Sequence, residues 1–170
     1  MAHPDFDLQA LYAALDEQRC ARALSWAAVT REINGHFQDI PRSRPIATST
    51  ITGLRNKKIA EGDGILQMLL WLDRTPESFV PGMTWDPRVA ALHKPPDKRL
   101  RFDTRAMYSA LDARRQTRQM SWDDVAHEIG VSKNSLLYLA KASRTGFPVV
   151  MRIVEWLDRP VATFTRISDW

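Results

Sequence analysis

Cysteine is almost missing from these 170 residues, with Cys20 standing alone. A single thiol excludes an intramolecular disulfide and suits a reducing cytoplasm, where the chain is expected to reside. Met1-Ala2-His3-Pro4-Asp5 lacks the basic-then-apolar pattern of a signal peptide. Long hydrophobic runs are also lacking. The most apolar stretch, Ile65 to Leu72, is far too short to span a bilayer and contains Gln67, so no membrane partner is expected. His3, His36, His93 and His127 do not stand at metal-ligand spacing, and Cys20 has no companion to complete a site. There is no glycine-rich phosphate loop of the GxxxxGK[ST] form, and Glu61-Gly62-Asp63-Gly64 reads simply as a turn. No catalytic group, metal or cofactor is therefore expected, and the chain does not read as an enzyme. What remains is the composition of a globular protein, 44% hydrophobic and 26% charged, long enough for one or two domains.

A repeat dominates what is present. Phe6–Ile33 aligns with Phe102–Ile129 at a constant offset of 96, with 14 of 28 positions identical. Among the identities are Tyr12/Tyr108, Leu15/Leu111, Ser25/Ser121, Trp26/Trp122 and Ile33/Ile129. The match resumes at an offset of 85, where Trp71-Leu72-Asp73-Arg74 faces Trp156-Leu157-Asp158-Arg159 and Phe79 faces Phe164. All six tryptophans fall into pairs, 26/122, 71/156 and 85/170. The chain is a tandem duplication: residues 1–87 form a first module, 88–101 a linker and 102–170 a second module. Lys94-Pro95-Pro96-Asp97-Lys98-Arg99 marks the linker as stiff, charged and without apolar period.

Each copy reads as five helices. The first runs from about Asp7 to Ala23, and the second starts at Ser25 or Ser121. The third spans roughly Thr48–Lys58 or Ser132–Ala142. The fourth holds Ile65, Met68, Leu69 and Leu72, matched by Val150, Ile153, Val154 and Leu157, and a short fifth carries Phe79 or Phe164. In the second copy, Ser121 is an N-cap with Asp124 three residues on, and Trp122, Val125 and Ile129 recur on one face. Gly130 supplies a left-handed helix end, and Ser132 caps the next helix. Leu136 and Leu139 of that helix point one way, while Lys133, Asn134, Leu137 and Lys141 lie on the other side. This is the pattern of a helix-turn-helix, whose second helix is free to enter a DNA major groove. The change of offset places 11 extra residues in the turn of the first copy, within Asn34–Ile46, and its prolines and glycine make the insertion a loop. Asn34 is expected to take the left-handed conformation of Gly130 there.

The run from Ser121 to Leu139, with small Ala126 four residues before Gly130 and Val131-Ser132 after it, resembles the Cro/phage-repressor (XRE-type) helix-turn-helix family. The resemblance implies an all-α fold of two tandem five-helix, lambda-repressor-like modules that bind operator DNA. It also implies that the start of the third helix meets base edges. Lys133, Asn134 and Leu137 then read bases in the second copy, as lysine to guanine, asparagine to adenine and leucine to a thymine methyl. Thr48, Ser49 and Thr52 hold the same positions in the first copy. Arg42, Arg44, Arg55, Lys57 and Lys141 suit phosphate contacts, as do Ser25 and Ser121 at the start of the second helix of each copy. Phage repressors often place glutamine after that serine. This chain has Trp26 and Trp122, which read either as lids on the core or as single hydrogen-bond donors to phosphate. Trp71 and Trp156 read as core or inter-module residues.

The net charge of +4 is unevenly spread: −2 over residues 1–87, +4 over 88–101 and +2 over 102–170. Arg42 to Lys58 holds five bases and no acid, and Lys133 to Arg144 three bases and no acid. Positive charge thus gathers at both third helices, as contact with nucleic-acid phosphate requires. Asp123 and Asp124 work against it in the second copy. The expected function is a sequence-specific regulator of transcription that binds double-stranded DNA through two helix-turn-helix units, with homodimerisation left open. The alternative is an adaptor or antitoxin-like partner whose recognition helices dock protein.

Overall fold

The computed structural model describes residues 5–35, 44–57, 60–94, 98–142 and 144–168. Its helices and strands run α1 (Leu8–Ala21), α2 (Trp26–Asn34), α3 (Thr48–Thr52), α4 (Gly62–Leu72), α5 (Pro87–Ala90), β1 (Arg99–Phe102), α6 (Thr104–Thr117), α7 (Trp122–Ile129), α8 (Lys133–Tyr138), α9 (Phe147–Leu157) and β2 (Thr165–Ser168). Single 3-10 turns follow at Gly53–Asn56, Pro76–Phe79 and Val161–Phe164. The protein is mostly helical, with one small two-stranded sheet among the described residues.

The duplication persists in detail. Asp7 and Asp103 cap α1 and α6 by accepting from Ala10 and Ala106. Their own amides donate to the Phe79 and Phe164 carbonyls at 2.9 and 2.7 Å, which ties each half's start to its end. Leu8, Leu11 and Leu15 of α1 are buried, as are Met107 and Leu111 of α6. Ala23 and Gln119 follow α1 and α6 with φ of 51° and 54°, and Asp73 and Asp158 follow α4 and α9 with φ of 53° and 55°. Among the described residues these four are the only non-glycines at positive φ. Each such conformation costs roughly 1 kcal/mol or more, so both halves carry the same two-point backbone strain pattern.

The insertion corrects one expectation. Asn34 is not left-handed: it closes α2 in helical conformation and is buried. Its side-chain amide brackets Ile46 instead, donating to the Ile46 carbonyl and accepting from the Ile46 amide, both at 2.8 Å. A carboxamide carries both a donor and an acceptor, so one residue closes the neck of the inserted loop. Gly130, in the uninterrupted copy, does take φ 77°.

The halves meet through equivalent residues. Glu61 and Gly146, counterparts at the offset of 85, form an antiparallel bridge. The Gly62 amide donates to the Thr145 carbonyl at 2.9 Å, and the Phe147 amide to the Ala60 carbonyl at 3.1 Å. Each bond is the other's image under the repeat, which is the signature of a local two-fold axis. Side chains follow the same rule. Phe6 packs on Phe147 of the other half at 4.4 Å, and its counterpart Phe102 lies over Gly62, the counterpart of Phe147. Gln67 donates to the Leu100 carbonyl, and its counterpart Arg152 reaches Asp5. α4 is accordingly buried nearly all round.

The linker does not stay irregular to its end. In Arg99-Leu100-Arg101-Phe102, Leu100 and Phe102 are buried, and this alternation forms strand β1. It pairs antiparallel with β2, Arg99 opposite Ser168 and Phe102 opposite Thr165. Asp63 holds it to α4 by accepting from the Phe102 amide at 3.1 Å and from Arg101 at 2.9 Å in a buried ion pair. Glu77 also crosses between halves. It is buried, takes the Val161 amide on one carboxylate oxygen at 2.6 Å, and has no partner for the other among the described residues.

Two consequences are measurable. A Cβ on Gly62 would lie 2.6 Å from the Phe102 ring and 2.9 Å from the Thr145 carbonyl, whereas one on Gly64 meets nothing within 4 Å. Gly62→Ala should lower stability in urea unfolding by about 1–3 kcal/mol, and Gly64→Ala should raise it by up to about 1 kcal/mol. Burial pushes the Glu77 carboxyl up, and the Val161 amide only partly offsets this. A raised carboxyl favours the fold at low pH and disfavours it as pH climbs through the raised value. Glu77→Gln should therefore raise Tm at pH 7 and leave it little changed near pH 4.

Candidate nucleic-acid interface

The sharpest geometry lies at α7 and α8. Ser121 accepts from the Asp124 amide at 3.1 Å while Asp124 accepts from the Ser121 amide at 2.8 Å, a complete capping box. The Ser121 hydroxyl, donating to the Asp124 carboxylate, and then the Ser121 amide hold that carboxyl below its usual range. Gly130 turns the chain, Ser132 caps α8 through the Ser135 amide, and Leu136 and Leu139 anchor it in the core. Lys133 and Asn134 are exposed and Leu137 half-buried on its outer side, and exposed Lys141 follows in the next turn. Lys133 reaches back to Asp123 at 2.9 Å. With the two side chains 43% and 72% exposed, that pair contributes at most about 1 kcal/mol and leaves the ammonium available.

Tyr138 belongs to this face, and the sequence reading passed over it. It is 65% exposed and continues the stripe of Asn134 and Lys141 at i, i+4 and i+7. A tyrosine on the polar side of an amphipathic helix was the available signal. Its counterpart in the first copy is Gly53.

The first copy is built differently. α3 is a single α-helical turn and a half that tightens into the 3-10 turn Gly53–Asn56, shorter than the sequence span to Lys58. Ser49 is exposed and Thr48 and Thr52 half-buried, the Thr52 hydroxyl donating to the Thr48 carbonyl at 3.2 Å. Arg55 and Lys57 are exposed. Arg42 lies outside the described residues. Arg44 and Lys57 line a cavity of about 460 Å³ together with Thr50 and Leu54. Thr50 and Leu54 sit on the side of α3 away from Thr48, Ser49 and Thr52. Ser25 accepts from the Ala28 amide at 3.1 Å at the start of α2. Where α7 opens with Asp123 and Asp124, α2 opens with Ala27 and Ala28. The Ser121 hydroxyl donates to Asp124 at 2.6 Å, so a carboxylate already stands at the start of α7.

Trp26 and Trp122 act as structural lids, and Trp71 and Trp156 brace helices within their own halves rather than between them. Trp26 stacks on Tyr12 at 5.4 Å and Trp122 on Tyr108 at 5.2 Å, with Arg19 and Arg115 over their rings at 4.9 and 5.0 Å. Trp71 and Trp156 each donate at 2.8 Å to a glutamate, Glu32 and Glu128, which also binds Arg22 or Arg118 through both oxygens. This clamp ties α2 to α4 and α7 to α9 identically in the two halves.

No family model, curated protein or solved structure matches the chain.

The paired arginine, followed by the tryptophan, holds each clamp carboxyl below its ordinary 4.5. A depressed carboxyl stabilises the fold above its unfolded value, and that stability is lost as pH falls through the folded one. Tm of the Glu32→Gln/Glu128→Gln variant should be lower than that of the parent at pH 7, and the gap should close below about pH 4. A gap of the same size at pH 7 and pH 3 would remove the carboxylates from the explanation.

Proposed function

We propose that this chain is a sequence-specific, double-stranded-DNA-binding regulator of transcription that carries two helix-turn-helix units of the XRE type. The observation behind the proposal is the outer face of α8. A capped, core-anchored helix follows a tight left-handed turn and presents Lys133, Asn134, Tyr138 and Lys141 to solvent in one stripe. Lysine and asparagine at the first two positions suit base edges, and Tyr138 and Lys141 one turn on suit the flanking sugar and phosphate.

The relation between halves adds to this reading. The repeated bonds about Glu61 and Gly146 relate the halves by a local two-fold, the symmetry that paired half-sites on one duplex also carry. The faces are unlike, with hydroxyls and Arg55 on one and lysine, asparagine and tyrosine on the other, so the preferred site is asymmetric. Ser25, at the start of a helix whose first turn carries no acid, suits a phosphate better than Ser121. Binding is then led by base contacts from the second copy and by charge from the first.

Selection from random duplexes should enrich one motif, bound by one chain, and affinity should fall steeply with salt. Lys133→Ala/Asn134→Ala should flatten the sequence preference, each lost base contact weakening the preferred site by about 5- to 150-fold. Lys141→Ala should weaken all duplexes alike. Recovery of no motif, with affinity unmoved by these variants, would give the α8 face to a protein partner instead.

A further inference from the structure

The cavity behind α3 is more basic than its fold requires. Arg44, Lys57, Arg99, Arg101 and Arg144 line it against two carboxylates, Glu61 and Asp63, a net of +3. Asp63 is engaged by Arg101 at 2.9 Å, and Glu61 by Arg144 at a looser 3.5 Å. The floor is apolar, made by Leu54, Ile65 and Met68 of the first half's core. Its volume of about 460 Å³ falls within the range of small-molecule sites.

The repeat supplies an internal control. Lys57 corresponds to Ala142, Arg144 to Ile59, Arg99 to His3 and Arg101 to Asp5, while Arg44 lies in the insertion and has no counterpart. Not one of the five cations is shared with the other copy. Apart from Arg101, whose pair with Asp63 ties β1 to α4, packing the module does not need them, since the other copy is built without them. Gathering five like charges around one concavity costs self-repulsion and desolvation. Burial already pushes the Arg99 guanidinium below its ordinary range, with Asp63 opposing the shift. An anion in the cavity relieves that cost. DNA is the poorer occupant, because Thr50 and Leu54 put the cavity on the side of α3 turned away from Thr48, Ser49 and Thr52.

We propose that this cavity binds a nucleotide-sized organic phosphate, its phosphates among Arg44, Lys57, Arg99 and Arg144 and its organic part on the Leu54–Met68 floor. The site does not depend on the DNA-binding reading. It joins elements of both halves, since Arg144 leads into α9 while the floor belongs to the 3-10 turn after α3 and to α4.

The full-length chain, without DNA, is titrated calorimetrically with ATP, inorganic phosphate and sodium chloride at matched ionic strength. ATP should bind saturably at one site per chain, more tightly than inorganic phosphate. Arg44→Gln/Lys57→Gln should weaken ATP at least about tenfold, while Arg55→Gln/Lys141→Gln, outside the cavity, should leave it unchanged. Gly64→Glu gives a second variant. A side chain there enters open space at the third position of α4, where a carboxylate favours the helix, so the fold should hold while ATP binding disappears. No saturable ATP binding, binding no tighter than that of inorganic phosphate, or equal loss in the Arg55/Lys141 control would each overturn the proposal. With no DNA present, none of these outcomes bears on the preceding reading.

Discussion

Two backbone hydrogen bonds, Gly62 to Thr145 and Phe147 to Ala60, set the relation on which the rest of the molecule depends. Because each joins a residue to the counterpart of the residue two places before it, they hold the halves about a two-fold axis rather than in a head-to-tail stack. Close approach there requires that Gly62 have no side chain, because Phe102 occupies the space. The aromatic exchange of Phe6 and Phe102 across the axis then buries the first residues of each half in the other. β1, the Asp63–Arg101 pair and the Glu77 contact all lie along this seam.

Apart from the inserted loop and the unlike α3 and α8, the halves repeat each other away from the seam, and near it they diverge. Trp–Glu–Arg clamps, Tyr–Trp stacks and four left-handed residues recur almost unchanged. Unlike residues gather where the halves touch: Gly62 against Phe147, Glu77 against Ala162, Asp63 against Pro148. Residues on the axis face the other half's version of themselves, so identity there is not favoured by packing, and charge and volume complement each other instead. The same freedom produced one basic cavity rather than two.

The helices were legible in the sequence because their signals are local. Ser121, Asp124, Gly130 and Ser132 fix caps and a turn through neighbours three or four residues away, and leucine spacing sets the buried faces. Asn34 was misjudged because its preference for left-handed backbone competes with a contact to Ile46, twelve residues on, that no local pattern reveals. β1 was hidden by brevity, four residues of alternation beside a proline-rich charged stretch. On the outer face of α8, Lys133 and Asn134 were readable from position on the helix, whereas the hold of Asp123 on Lys133 spans the turn and needed the fold. The cavity was beyond reach of the sequence, because Arg44, Arg99 and Arg144 converge from three distant segments.

Covalent joining of two-fold-related halves has a kinetic and stoichiometric meaning. Two separate subunits would meet at a rate set by the square of their concentration and would fall apart on dilution. Here each half is always within reach of the other, at an effective concentration fixed by the linker over residues 88–101 rather than by abundance. The composite surface therefore exists in full at the first molecule made. Joining the two halves in one chain thus removes the concentration threshold that their assembly from separate subunits would impose.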